Sequence, residues 1–375
     1  MTDVLYFHMN LKRLLLFLFA AGTFINQTLS QETKSDSIVS RRSLFIIPHP
    51  GYQQETSWSF GVAGGYYFKS KDISKISSIS GSADYTLLNQ FIFNITPKIY
   101  LADNKWYLYS NLNFRDYPDY YYGIGNKSTQ IKQTYTSDLF SLTIQPQYAL
   151  TKNVYIGGII GTRYESLKTD SSFNSIREQI FNQYGSAGWK PYAEINAGIL
   201  TSYDSRDSQF YPQSGIFAKS TLSTAKSIVG TAYSSTSVTL DFRQFLPTFN
   251  NQVFAWQIYY AGIFSKNEIP FQLLPTLGGR DMMRGFRQGM YRENVVMLLQ
   301  TEYRTPIYKR LKGAIFCTMG DVVNSTNYNI DKLKISYGAG LRYRLNDARV
   351  HLRFDIAKNN YGEKLQFYIT ATEAF

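Results

Sequence analysis

Apolar and polar residues alternate along most of this chain with the two-residue period of strands. VTLDFRQFL sets Val238, Leu240 and Phe242 on one face and Thr239, Asp241 and Arg243 on the other. VFAWQIYYA does the same with Phe254, Trp256, Ile258 and Tyr260 against Ala255, Gln257 and Tyr259. Further on, GAGLRYRL opposes Leu341, Tyr343 and Leu345 to Arg342 and Arg344, and RVHLRFDIA opposes Val350, Leu352, Phe354 and Ile356 to His351, Arg353 and Asp355. From Glu55 onward such segments run for roughly 9–14 residues between turns, and a tilted strand needs about 9–11 to cross a bilayer. No helical period stands out over this stretch.

In a soluble sandwich the polar face of each strand would meet water outside; in a transmembrane barrel it would line a wet lumen. Segment length and the recurrence of Gln, Arg and carboxylates on the polar face favour the barrel. About fifteen segments can be counted, beginning with Trp58–Phe68, and barrels of this kind normally have an even number. The expectation is therefore an all-β, antiparallel transmembrane barrel of sixteen strands. The uncounted strand is expected between Tyr117 and Tyr135, where DYPDYYYGIGNKS otherwise reads as a long loop. EKLQFYITATEAF ends the sequence with Leu365, Phe367 and Ile369 alternating with Gln366, Tyr368 and Thr370, and its last residue is Phe375. A terminal aromatic on such a strand is the expected outer-membrane assembly signal.

Composition sharpens the compartment. There are 31 Tyr and 26 Phe against 3 His and 1 Cys, and aromatics favour strands and mark bilayer interfaces. MNLKRLLLFLFAAGTFINQTLS, from Met9, joins Lys12 and Arg13 to an apolar run and small residues before Gln31, the form of a secretory signal peptide. The expected layout is 1–30 signal peptide, 31–54 short N-terminal segment and 55–375 barrel. No apolar run near the length of a membrane helix follows Gln31. The net charge of +12 suits an anion-attracting lumen or rim, and equally scattered surface lysines; an exported chain offers nucleic acid no role.

One stretch breaks the alternation. LGGRDMMRGFRQGMYREN, Leu277–Asn294, crowds Gly278, Gly279, Gly285 and Gly289 among Arg280, Arg284, Arg287 and Arg292. Glycines allow tight turning, and a guanidinium can be fixed by bidentate pairing in a confined site. Five strand segments follow it. Alternation places Glu302 on the inward face with Gln300 and Arg304.

LGGRDMMRGF resembles the signature of BamA/TamA-type outer-membrane proteins, the bacterial surface antigen superfamily. SYDSRDSQFYPQSGIF is similar to that family's Asp-x-Arg-Asp and Pro-x-x-Gly turn at Asp204, Arg206, Asp207, Pro212 and Gly215, and TEYRTPI to its glutamate-bearing strand at Glu302. The resemblance implies that the long loop folds back into the lumen, with Gly278, Gly279, Arg284, Gly285 and Phe286 as its motif. Arg284 would then reach wall carboxylates, Glu302 first among them. The family's Phe-x-Asp-x-Gly is FCTMG here, with Thr318 in place of the aspartate; Asp321 and Asp355 are the candidates to compensate. The match covers the barrel only, since Gln31–Gly51 is too short for the periplasmic domains with which family members capture clients.

Catalysis has little support: His49 precedes the counted strands, and His351 among Arg353 and Asp355 reads as a satisfied polar residue. One cysteine and unpaired histidines offer no metal site, GVAGG and YYGIG precede no helix as a phosphate loop would, and no cofactor is implied. Two functions stand. The first is protein assembly or translocation in the outer membrane of a Gram-negative bacterium, with lipid around the barrel and accessory proteins of the periplasm or outer membrane as partners. The second is a passive pore or structural barrel. The first would use a weak seam where Trp58–Phe68 meets Leu365–Thr372.

Overall fold

The computed structural model describes residues 42–53, 57–68, 77–126, 132–171, 173–324, 333–345, 349–362, 364–371 and 373–375. The signal peptide expected over 1–30 lies outside them. Sixteen strands close into an antiparallel barrel. In chain order they are β1 (Arg42–Gln53), β2 (Ser57–Phe68), β3 (Ser77–Thr86), β4 (Phe91–Leu101), β5 (Trp106–Tyr121), β6 (Gln133–Ala149), β7 (Val154–Thr169) and β8 (Tyr192–Asp204). Then come β9 (Gly215–Val229), β10 (Ser234–Pro247), β11 (Val253–Ser265), β12 (Val295–Tyr308), β13 (Leu311–Val323), β14 (Lys334–Arg344), β15 (His351–Asn359) and β16 (Gln366–Ala371). Each strand neighbours the next, and β16 returns to β1 with Tyr52 opposite Ile369.

The strand missing from the sequence reading is β1, not a strand between Tyr117 and Tyr135. That region is instead the end of β5, a connection, and the start of β6. The barrel therefore begins at Arg42 rather than Glu55, and Trp58–Phe68 is the second strand, so the seam lies between β1 and β16. β1 escaped notice because LFII runs without alternation and Pro48 and Pro50 interrupt the pattern. Proline is tolerated in a sheet mainly where its missing N–H costs no ladder bond, as beside a seam.

Elsewhere the alternation resolves as two faces. Ile160, Ile199, Ile258, Ile315 and Phe354 are exposed outward, whereas Gln257, Gln300, Arg342, Arg353 and Asp355 are buried inside. Outer aromatics form two girdles: Trp106 packs edge-on to Tyr148 at 5.2 Å near one rim, and Phe114 and Phe140 are register partners nearer the other. Trp106 and Phe114 are separated by about 26 Å along β5 at roughly 3.3 Å per residue, enough to bracket a hydrocarbon core once tilted. Short turns such as 102–105, 150–153 and 309–310 lie at the Trp106 rim, and the connections after β5, β7 and β11 lie at the other. Among the described residues no helix is long and apolar enough to cross a membrane.

A helix not anticipated in the sequence, α1 (Phe173–Tyr184), follows β7. Phe173, Ile176, Ile180, Phe181 and Tyr184 share one face at helical spacing, and that face packs with Tyr121, Tyr135, Trp189, Phe271 and Leu274 over the loop end of the lumen. Ile180 is fully buried there. Ile180→Ala is expected to cost about 2–5 kcal/mol and to expose Arg177 to trypsin in the otherwise folded barrel. Unchanged cleavage would mean that the helix is not seated as described.

Candidate functional site

The connection from β11 to β12 turns inward as a narrow hairpin. Thr276 and Leu277 pair with Arg292 and Tyr291 to form its stem, and Gly279–Met282 makes a single helical turn beyond it. Gly278 has φ 107, and a Cβ there would lie 2.0 Å from the Arg287 carbonyl oxygen, so only glycine fits. The hairpin's underside is apolar: Leu277, Met283, Phe286 and Tyr291 pack on Val296, Leu298 and Val322 of the wall. Gly285 at the tip donates its N–H to Tyr368 Oη at 3.0 Å and accepts from Asn359 Nδ2 at 2.6 Å. The loop backbone is thereby tied to β15 and β16.

Arg284 completes the attachment. Its Nη2 donates to Glu302 Oε2 at 2.8 Å and its Nη1 to Asp355 Oδ2 at 2.7 Å, with every side chain fully buried. The guanidinium lies flat on Phe316, 3.4 Å above the ring centroid. A planar fork can bridge two carboxylates and stack in this way; a lysine ammonium cannot. All five motif residues named from the resemblance thus lie in one hairpin against the wall, with Glu302 and Asp355 as the carboxylates of the lock.

Asp321 does not belong to it. It lies five residues past Phe316, the register partner of Glu302, which is about 16 Å along the strand. It instead accepts from Lys334 Nζ at 2.7 Å near the loop rim. Thr318, in place of the family aspartate, only donates to Gln300 Oε1 at 3.4 Å. Asp355 therefore replaces the missing carboxylate. Gly340 makes this feasible, because a Cβ there would sit 1.9 Å from Asp355 Oδ1. Gly338 similarly leaves room for the Phe316 ring, which a Cβ would approach to 2.5 Å.

The network extends beyond the residues singled out from sequence. Arg342 donates to Asp355 Oδ1 at 2.5 Å, Glu302 Oε2 at 3.2 Å and Glu373 Oε2 at 3.1 Å. Arg304 donates to Glu302 Oε1 at 2.8 Å, the Phe375 backbone oxygen at 3.2 Å and the Pro212 carbonyl at 3.4 Å. Arg353 holds Thr370 Oγ1 at 3.0 Å, the Arg280 carbonyl at 3.0 Å and Asp281 Oδ1 at 3.1 Å. Strand parity, shared with Glu302 and Asp355, marked these arginines as inward, but not their partners.

The Asp-x-Arg-Asp turn lies at the short-turn end of this assembly. Asp204 takes a two-point contact from Arg206 at 2.9 and 2.8 Å. Asp207 caps the turn by accepting from the N–H groups of Gln213 and Ser214 at 2.8 and 3.1 Å. Those bonds and Arg349 outweigh its partial burial and hold its carboxyl below the usual range. Phe375 is not on the membrane-facing surface. Residues 373–375 lie on the lumen side, where Phe375 packs with Phe245, Val253 and Ala255. His351 Nδ1 lies 2.8 Å from the Arg349 carbonyl, with its ring against Tyr211. Among the described residues no group of His, Cys, Asp and Glu could hold a metal ion.

The site can hold a loop. Comparison with known proteins agrees on the architecture. The Omp85 superfamily domain matches residues 76–375. BamA from Haemophilus ducreyi lacking POTRA domains 1-3 is similar with a TM-score of 0.59 at 15% identity, over 88% of this chain and 70% of that one. CdiB from Acinetobacter baumannii is similar with a TM-score of 0.57 at 10% identity, over 90% of this chain and 60% of that one. CdiB from Escherichia coli gives 0.54 at 11% identity, over 88% of this chain and 62% of that one. The chain thus spans less than two thirds of either CdiB chain, and at these identities the likeness is one of fold. No curated protein matches. With its sixteen-strand barrel and matched domain, the chain belongs to the Omp85 superfamily.

Proposed function

We propose that this barrel takes part in protein assembly or translocation at the outer membrane of a Gram-negative bacterium, with separate periplasmic partners, and that β-rich clients engage it at the seam between β16 and β1. The observation that carries this reading is the shortness of β16. It has six residues, against sixteen or seventeen in β5 and β6. Across the seam Tyr52 lies opposite Ile369. An under-paired edge exposes N–H and C=O groups that can template an incoming strand. A passive pore is the other reading, but the hairpin, α1 and the Phe375 cluster all occupy the lumen or its ends.

The test closes the seam. Tyr52→Cys/Ile369→Cys in a Cys317→Ser background should form a disulfide across it. Oxidation is expected to deplete newly assembled outer-membrane proteins in cells dependent on the variant, and reductant to restore them. Full function with the seam crosslinked would rule out client entry there, and steady ion conductance by the sealed barrel would favour the pore.

A further inference from the structure

The β12–β13 hairpin projects beyond the short-turn rim. The last register pair between β11 and β12 is Val253 with Arg304, yet β12 continues to Tyr308 and pairs onward with β13, Tyr308 opposite Leu311. Lys309 and Arg310 form the two-residue tip, with Lys309 at φ 46. Ile307 and Tyr308 are 54% and 66% exposed just behind that tip, and Tyr343 and Leu345 are exposed on the adjoining strand and its end. Arg344 is joined to this tip by its N–H, which donates to the Arg310 carbonyl at 3.0 Å. Lys312, on the lumen side of the same hairpin, lies 3.8 Å over the Tyr211 ring and shares its surroundings with Glu373, Arg344 and Arg349.

The charge here is unbalanced. Arg349 pairs with Asp207 and Lys312 lies within the field of Glu373, but Lys309, Arg310 and Arg344 form no ion pair with a carboxylate among the described residues. Arg284, Arg304, Arg342 and Arg353 in the lumen are each matched by carboxylates, whereas these tip cations are not. We propose that this tip binds the phosphate of an anionic phospholipid in the leaflet facing the short-turn rim. Ile307, Tyr308, Tyr343 and Leu345 would lie against its acyl chains, and Lys309, Arg310 and Arg344 against its headgroup. The ordering of an apolar and aromatic belt followed at once by cations is that of a membrane interface. An acidic protein partner would not need the exposed apolar residues behind the charges. The inference rests on the barrel's seating in the membrane and is independent of the seam.

The test uses the full chain in detergent, mixed with phosphatidylglycerol or phosphatidylcholine and read by native mass spectrometry. Phosphatidylglycerol is expected to be retained preferentially. K309Q/R310Q should reduce its retention by roughly 30-fold, as expected for two lost contacts, and K309E/R310E by more. Heat-modifiable migration of each variant verifies folding, and K152E, at another short turn, serves as the control. Excess glycerol phosphate should compete only weakly, because the chains contribute. Equal retention of the two lipids, or undiminished phosphatidylglycerol binding by K309E/R310E, would overturn the proposal. So would full displacement by glycerol phosphate, which would mark a site for free phosphate esters.

Discussion

Arg284→Ala is expected to free the hairpin from the wall while leaving the barrel closed. The substitution strands two buried carboxylates, Glu302 and Asp355, that the guanidinium bridges at 2.8 and 2.7 Å, and removes the cation stacked on Phe316. Breaking a fully buried pair on one side costs about 3–5 kcal/mol. Arg342 remains on both carboxylates, so the barrel wall keeps a counter-charge and the loss falls on the loop. The expected readouts are a lower temperature for the heat-modifiable gel shift and protease cleavage at Arg287 in intact cells. Arg284→Lys should recover only part of the order, since an ammonium cannot span both carboxylates and stack at once. A wild-type gel shift and protease resistance in Arg284→Ala would show that the pairing is incidental.

Glu302→Gln should be more damaging still. Glu302 accepts from Arg284, Arg304 and Arg342, so the amide leaves three buried guanidiniums around the charges of Asp355 and Glu373. Two of these arginines also hold the segment after β16, through Glu373 and the Phe375 backbone oxygen. The expected outcome is loss of both the loop and the last strand's anchorage, seen as poor assembly. Asp321→Asn, which removes one partner of Lys334, should assemble far better. The double variant Arg284→Ala/Glu302→Gln should cost less than the sum of the two, because the groups share one network. Equal assembly of Glu302→Gln and Asp321→Asn would contradict the assignment of the lock.

The legible part of this molecule was the part governed by local periodicity. Strand parity placed Glu302, Gln300 and Arg304 inside, Phe354 outside and Asp355 inside, and all of these hold in the structure. The choice between Asp355 and Asp321 depends on register across β13, β14 and β15. No single segment encodes that register. Arg342 was visible as an inward residue, yet its role depends on Gly338 and Gly340 clearing space for the Phe316 ring and the Asp355 carboxylate. α1 carried a readable apolar face, hidden because only twelve residues long and surrounded by strand patterns. β1 could not be read by alternation at all, because its prolines and unbroken LFII run suit a seam rather than a ladder with strong bonds on both sides. The lumen position of Phe375 could not be read either: a terminal aromatic in phase with a strand says nothing of whether the chain stays in the wall.

Amide hydrogen exchange across residues 278–290 of the folded wild-type barrel tests the loop lock most directly. Gly279 N–H is held by the Phe286 carbonyl at 2.8 Å and Gly285 N–H by Tyr368 Oη at 3.0 Å, both under a buried apolar face. These amides are expected to exchange as slowly as those of neighbouring barrel strands, and to become fast in Arg284→Ala. Rapid exchange throughout 278–290 in the wild-type protein would place the hairpin outside the lumen and contradict the account.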